Sequence, residues 1–388
     1  MKRIEDIRGG LVTFALAALT AVMSLGLTGA DRVAMASDGE ITYKGLVYTL
    51  DSTDATAAVC GYESEESRVT IPESITYDGV TYEVNRIDDQ AFTDCVNMEN
   101  ISIPDSVESI GFGAFEGCSA LEGVLMPSGI KAIEDLTFSD CTCLSEIVIP
   151  SGVVSMGSGC FSYCASLTKV VIPDSVTSLG GAVFEDCDSL SSVVLGDGLT
   201  EITASMFEDC VSLKSVDIPK NVTTIGRNAF ADCDEISSVS LPKGLTKICA
   251  GAFMGCVSIE SIDFPSSLRS IGETAFADCT GLKSVEIPNK VKTIGNNAFE
   301  NCTALKTVLV GKSVKSIKKE AFGGCAKINR ISINAGKLKK VGGDAFDSLT
   351  SKTRVKVTAK SRKSYKKAVK LLKKAGGKKA KYIYKKSA

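Results

Sequence analysis

Histidine and tryptophan are absent from the 388 residues, and only one of the nine tyrosines, Tyr163, falls between residues 92 and 358. Without histidine there is no Ser-His or Cys-His nucleophile pair, no imidazole metal site and no histidine proton shuttle. An enzyme would have to work with carboxylates, lysine, tyrosine or cysteine, and no motif arranges these for catalysis, so no enzymatic activity and no cofactor are expected. Scarce aromatic faces leave little for sugars or bases to stack on, which argues against a lectin and against a nucleic-acid binder. Acid is missing from residues 351–388, which hold 16 Lys and Arg, whereas residues 37–350 hold 43 acidic against 24 basic residues. An acidic body therefore carries a basic tail.

Long apolar runs are also missing, with one exception. "LVTFALAALTAVMSLGL", residues 11–27, follows Lys2, Arg3 and Arg8 and precedes Ala34-Met35-Ala36. Basic start, apolar centre and small-residue site read as an export signal over residues 1–36, with cleavage expected after Ala36. The run is at the low edge of spanning length, so retention as an anchor is the alternative. Either way the rest of the chain is expected to be secreted or on the extracellular cell surface.

Cysteine is abundant and regularly placed. Phe-x-x-Cys recurs at Phe92, Phe115, Phe138, Phe161, Phe184, Phe207, Phe230, Phe253, Phe276, Phe299 and Phe322, always 23 residues apart, and a twelfth copy at Phe346 is one residue late with Leu349 in the cysteine position. The nine prolines, Pro72 to Pro288, share one position of the same frame. A fixed period of this length marks a solenoid whose units bury their faces only by stacking on one another. Within a copy, Leu282, Val285 and Ile287 suit a strand with alternate side chains inward, ended by Pro288. Val291 and Ile294 suit a second short inward edge, and Ala298-Phe299 with Cys302 suggest a helical turn. Asp94, Asp140, Asp186, Asp209, Asp232 and Asp278, each before a frame cysteine, read as turn residues that tolerate left-handed backbone.

This frame, Leu-x-x-Val-x-Ile-Pro followed by Val-x-x-Ile-Gly-x-x-Ala-Phe-x-x-Cys, closely resembles the BspA-like leucine-rich repeats of bacterial secreted and surface proteins, over about residues 69 to 358. The resemblance implies a repeat solenoid of curved leucine-rich-repeat type with 23-residue coils and a parallel β-ladder, mostly β with short helical turns. It also implies a protein-binding function, with host matrix proteins and cell adhesion as the usual theme, and strands that line the concave face. The expected organisation is a signal peptide over 1–36, a β-rich N-terminal cap with hairpins over 37–91, a solenoid of about 12 repeats over 92–358, and a lysine-rich helical cap or tail over 359–388.

The eleven frame cysteines are expected to form a ladder of free, buried thiols. Side chains that point the same way from adjacent rungs do not meet the dihedral a disulfide needs, and a straight ladder gives a metal no converging ligands, so no metal site is expected. Of the other four, Cys160 and Cys249 are expected to be packed, and Cys143 and Cys60 exposed.

At the ends, "ITYKGLVYTL" and "SITYDGVTYEV" read as hairpins, and the second accounts for the 32 residues between Pro72 and Pro104. "TRVKVT" (353–358) supplies a last strand, and Tyr365, Ala368, Val369 and Leu372 then give an amphipathic helix with Lys366, Lys367, Lys370, Lys373 and Lys374 outward. Those lysines either stay in water on a cap or touch an anionic surface such as wall polymer.

In the strand, the middle residue points away from the core, and its row reads Thr70, Ser102, Leu125, Val148, Val171, Val194, Asp217, Ser240, Asp263, Glu286, Leu309, Ser332, Lys356. Leu125, Val148, Val171 and Val194, with Asp217, Asp263 and Glu286, are the candidate partner-binding residues. The apolar four suit a protein contact, and the β-propensity of valine is the bland alternative. Asp263 and Glu286 on a flat sheet lack the cage calcium needs. The chain reads as a monomeric, adhesin-like scaffold; the alternative is a cell-envelope spacer held to anionic wall polymer by its basic tail.

Overall fold

The structure, a computed structural model, describes residues 34–35 and 40–387. The expected signal segment lies outside the described residues except for Ala34 and Met35, a two-residue strand paired antiparallel with Ile41–Tyr43. The chain is a β-solenoid of about 14 turns with coils of about 23 residues. It divides into two compact units, one ending at Gly198 and one beginning at Leu199.

The N-terminal unit opens with a sheet built from the two expected hairpins. Ile41–Tyr43 pairs with Leu46–Asp51, and Ser74–Tyr77 with Val80–Ile87. Their turns use left-handed Lys44-Gly45 and Asp78-Gly79. Between the hairpins lies Thr56–Tyr62, a strand the sequence reading passed over, antiparallel to the first hairpin and parallel to the second. Cys60, expected to be exposed, lies in this strand and is half-buried. Arg68–Thr70 pairs with Asn100–Ser102, Val69 opposite Ile101, so the second hairpin is an insertion that leaves the ladder in frame.

The ladder then continues through Gly123–Leu125, Glu146–Ile147, Lys169–Val171 and Ser192–Val194, all parallel. In the C-terminal unit it comprises Ser215–Asp217 with Ser238–Ser240, and then Ser284–Ile287, Thr307–Val310, Arg330–Asn334, Arg354–Ala359 and Lys381–Lys386. A second ladder of two-residue strands, such as Thr293–Ile294, runs along the other edge of each coil, as expected.

Between the two edges, the segment read as a helical turn is a chain of single turns. Thr93 and Cys95 N–H groups bond within their coil to Gln90 and Phe92, while the Gln90, Phe92 and Asp94 N–H groups donate to Phe112, Ala114 and Glu116 of the next coil, each at 2.8 Å. Left-handed residues two before and two after each frame phenylalanine from Phe92 to Phe322 prevent a continuous helix. The later position holds the expected Asp94, Asp140, Asp186, Asp209, Asp232 and Asp278. At the earlier position even Leu136, Ala182, Thr274 and Glu320 have positive φ. That conformation costs a non-glycine residue roughly 1–2 kcal/mol, offset here by the inter-coil bonds it permits.

Phenylalanine fills the space beneath. In the N-terminal unit Tyr62, Phe92, Phe115, Phe138, Phe161 and Phe184 follow one another at centroid distances of 5.1 to 5.8 Å. In the C-terminal unit Phe207 to Phe346 stack at 5.2 to 5.4 Å. The chain ends in helix α1, Arg362–Lys374, capped by reciprocal Ser361 and Ser364 bonds and burying Ala368 and Leu372. "TRVKVT" is not the last strand: Lys381–Lys386 adds one more, parallel to Arg354–Ala359.

Four residues before each phenylalanine, coils touch backbone to backbone. This position reads Asp88, Gly111, Glu134, Gly157, Gly180, Thr203, Gly226, Cys249, Gly272, Gly295, Lys318, Gly342, and no two successive coils carry a side chain there. A Cβ on Gly226 would stand 2.5 Å from the Thr203 carbonyl carbon and 2.7 Å from Ala204 N. Gly226→Ala is therefore expected to destabilise by about 1–3 kcal/mol through overpacking, although glycine to alanine at an unstrained site normally gains about 0.4–1 kcal/mol. Gly343→Ala, whose Cβ meets nothing within 4 Å, is the control. Urea denaturation decides it: equal midpoints for the two variants would remove the steric reading.

Candidate binding surfaces on the repeat sheet

The strands place their outward residues where the period-2 reading put them. Ile101, Val124, Ile147 and Val170 face the core, while Leu125 is exposed and Val148, Val171 and Val194 are half-buried. Leu125, Val171 and Val194 lie on the N-terminal unit's six-stranded sheet, Val171 directly beside Val194, and Val148 immediately follows that sheet's strand Glu146–Ile147. The three valines are only partly accessible, so the row is shallower than full exposure would make it.

Asp217, Asp263 and Glu286 are exposed on the C-terminal unit. Asp263 and Glu286 edge a hollow of about 400 Å³ whose wall includes Phe264, Leu309 and Gly311. Phe264 stands where the rungs from Ile71 to Val357 otherwise have Ile, Leu, Val or Met; its larger ring packs edge-on to Phe276 at 5.4 Å. Residues 259–265 form no strand, so ladder pairing lapses at this rung. No group of three or more His, Cys, Asp or Glu suited to a metal occurs among the described residues.

The thiol ladder has a function the sequence reading did not assign. Ten of the eleven frame cysteines are buried and Cys95, the first, is half-buried; all are free. Nine of these thiols donate to the phenylalanine carbonyl of the preceding coil, as Cys141 does to Phe115 at 3.2 Å and Cys279 to Phe253 at 3.0 Å. That carbonyl already accepts the N–H of the cysteine in its own coil, as Phe253 accepts from Cys256. Burial pushes the thiols of Cys141, Cys187, Cys233 and Cys279 far above the ordinary range, so they are inert donors and not nucleophiles. Cys160 is buried, Cys249 half-buried and Cys143 exposed.

On α1, Lys366, Lys367, Lys370, Lys373 and Lys374 are exposed, while Tyr365 and Val369 are half-buried. Lys373 and Lys374 in the last turn also suit the helix dipole.

The family model described as BspA type leucine rich repeat region (6 copies) matches residues 72–188, 154–283 and 246–370. A leucine-rich repeat protein from Bacteroides ovatus is similar at 24% identity and TM-score 0.59, with 93% of this chain and 100% of that one covered. The pneumococcal vaccine antigen PcpA is similar at 19% identity and TM-score 0.57, with 93% and 100% covered. A leucine-rich repeat protein from Eubacterium ventriosum follows at 18% identity and TM-score 0.50, with 83% and 96% covered. These likenesses establish the fold. No curated protein matches the chain. Scaffolds of this kind are typically non-enzymatic and generally bind protein ligands. From residue 72 to residue 370, repeat after repeat, the chain belongs to the BspA-type leucine-rich-repeat family.

Proposed function

We propose that this is a secreted or surface-displayed bacterial binding protein, adhesin-like, whose repeat sheet contacts a protein of a host or a neighbouring cell. The observation that carries the reading is the row Leu125, Val148, Val171, Val194, three of them on one parallel sheet and Val148 at the end of one of its strands. Fully burying such a side chain is worth about 1.5–3 kcal/mol, so a partner covering the row gains a share of that from each. The family supports the location, since its members are bacterial surface proteins. No helix among the described residues is long and apolar enough to cross a membrane.

The second reading is an envelope spacer, favoured by the five exposed lysines of α1. Deleting the tail would not separate the two, because it would strip Ala368, Leu372 and the Lys381–Lys386 strand from the solenoid's end. Substitution does. Binding of the chain to immobilised fibronectin, fibrinogen and purified cell wall is compared with Val148→Lys/Val171→Lys, checked for unchanged circular dichroism, and with Lys366→Gln/Lys370→Gln/Lys373→Gln. Saturable binding to a host protein, weakened about tenfold or more by the valine variant alone, is the expected result. Binding to wall only, lost in salt and in the lysine variant, would replace adhesion by the spacer.

A further inference from the structure

We infer that the outer face of the last three sheet rungs is a second, separate site, one that binds an extended acidic peptide carrying an apolar residue among its carboxylates. Arg330, Arg354 and Lys381 are in register on neighbouring parallel strands, and so are Ser332, Lys356 and Ile383. The four cations are exposed and Ile383 is 48% exposed. Arg330, Arg354, Lys356 and Ile383 line, with Asn329 and Lys352, a hollow of about 480 Å³, and Lys381 extends the basic row beside it. Earlier rungs of this unit hold hydroxyls in the Arg330 row: Ser215 beside Ser238, and Ser284 beside Thr307. The row changes from hydroxyl to cation at Arg330 and stays cationic through Lys381.

Three like charges one strand spacing apart, roughly 4.8 Å, repel, and such direct neighbours destabilise a sheet. Among the described residues none of Arg330, Lys352, Arg354, Lys356 or Lys381 has an ion pair. No described residue forms an ion pair that would offset the repulsion, and an anion bound on this face would. The planar arginine fork takes a carboxylate through two parallel bonds. Ile383 favours a ligand that is not charged throughout. Tyr382 and Tyr384 face the helix side, where Tyr365 packs on Tyr384 at 5.2 Å and Lys373 lies 5.8 Å over Tyr382, so no ring in the hollow offers a sugar a stacking surface. The apolar Ile383 beside the cations suits a peptide with an apolar residue among its carboxylates better than a polymer sulfated throughout. The site is distinct from the apolar row and from the α1 lysines, and stands or falls without them.

The test uses the full chain and a fluorescein-labelled eight-residue peptide alternating Glu and Val, read by anisotropy. Arg330→Ser/Arg354→Ser installs the hydroxyl that earlier rungs carry in this row, so the coil frame is kept. It is expected to weaken binding about tenfold or more, the scale of losing charge-assisted bonds. Ile383→Ser should weaken it severalfold, Arg330→Lys/Arg354→Lys should fall between wild type and the serine variant, and Lys366→Gln/Lys370→Gln should leave it unchanged. Equal binding by the serine variant would overturn the site. A heparin fragment bound more tightly than the peptide, or an all-Glu peptide bound equally well, would overturn the ligand. The host-protein binding measured with the valine variant is unaffected by either outcome, so the two failures are distinguishable.

Discussion

Between pH 8 and pH 10 the C-terminal unit is expected to lose about 5 kcal/mol of stability, mostly through four thiols. In the native state, burial holds the thiols of Cys233, Cys256 and Cys279 well above the ordinary range, and Cys302 is raised first by its hydrogen bond with the Cys325 thiol and then by burial. In the unfolded chain the same thiols titrate near their ordinary value of 9.0. The sign follows from that order. Because the native pKa is the higher one, the stability is intact below pH 9 and is lost as pH rises beyond it, when only the unfolded state can release protons. Each thiol then costs about 1.4 kcal/mol per pH unit, so four together remove a large part of the roughly 5–15 kcal/mol that holds a typical domain folded. Urea denaturation at pH 8, 9 and 10 gives the slope, and Cys256→Ala/Cys279→Ala should halve it whatever those changes do to absolute stability. A stability that is flat over this range, or a slope the double variant leaves alone, would contradict the account.

Phe253→Ala is expected to cost about 3–5 kcal/mol, the range for emptying a buried phenylalanine site. Phe253 is fully buried and lies between Phe230 and Phe276, 5.2 Å from each, with ring planes within 5° and 12° of theirs. The substitution removes two ring contacts at once, and no neighbouring side chain can close the gap, since each is fixed by its own stack. A solenoid is stabilised by nearest-neighbour interfaces, so loosening one coil weakens the coupling of those on either side. The urea transition should therefore broaden as well as move, with a smaller m-value. A loss under about 1 kcal/mol with an unchanged slope would mean that the stack fills space without coupling the coils.

The parts that were legible in sequence are those written once per period. Val285 and Ile287 inward, Pro288 at the strand end and Asp278 in a left-handed turn all follow from residue type and a 23-residue step. The left-handed position two before each phenylalanine was not legible, because Leu136, Ala182, Thr274 and Glu320 lack any local preference for it; bonds to the next coil impose it. The strand Lys381–Lys386 was hidden by composition, since lysine-rich sequence reads as solvated tail, although Tyr382 and Tyr384 alternate with outward residues. The basic row escaped for a reason of arithmetic. The 24-residue step that puts Ser332 and Lys356 in one row also aligns Arg330 with Arg354, but Lys381 follows after 27 residues on the strand hidden in the tail, so the third cation fell outside any repeat frame. The apolar row was visible, but how far neighbours cover Val148, Val171 and Val194 depends on packing that no single position encodes.

The glycine position where coils meet backbone to backbone also bears on how such an array can change length. A Cβ on Gly226 would meet the backbone of the coil that carries Thr203, and a Cβ on Gly180 or Gly295 would meet just as closely the backbone of coils that carry glycine themselves. The close approach therefore belongs to the glycine coil and not to the side chain of the coil before it. A whole coil gained or lost takes its own glycine with it, so the array can change length in 23-residue steps without losing the residue that lets neighbouring backbones meet.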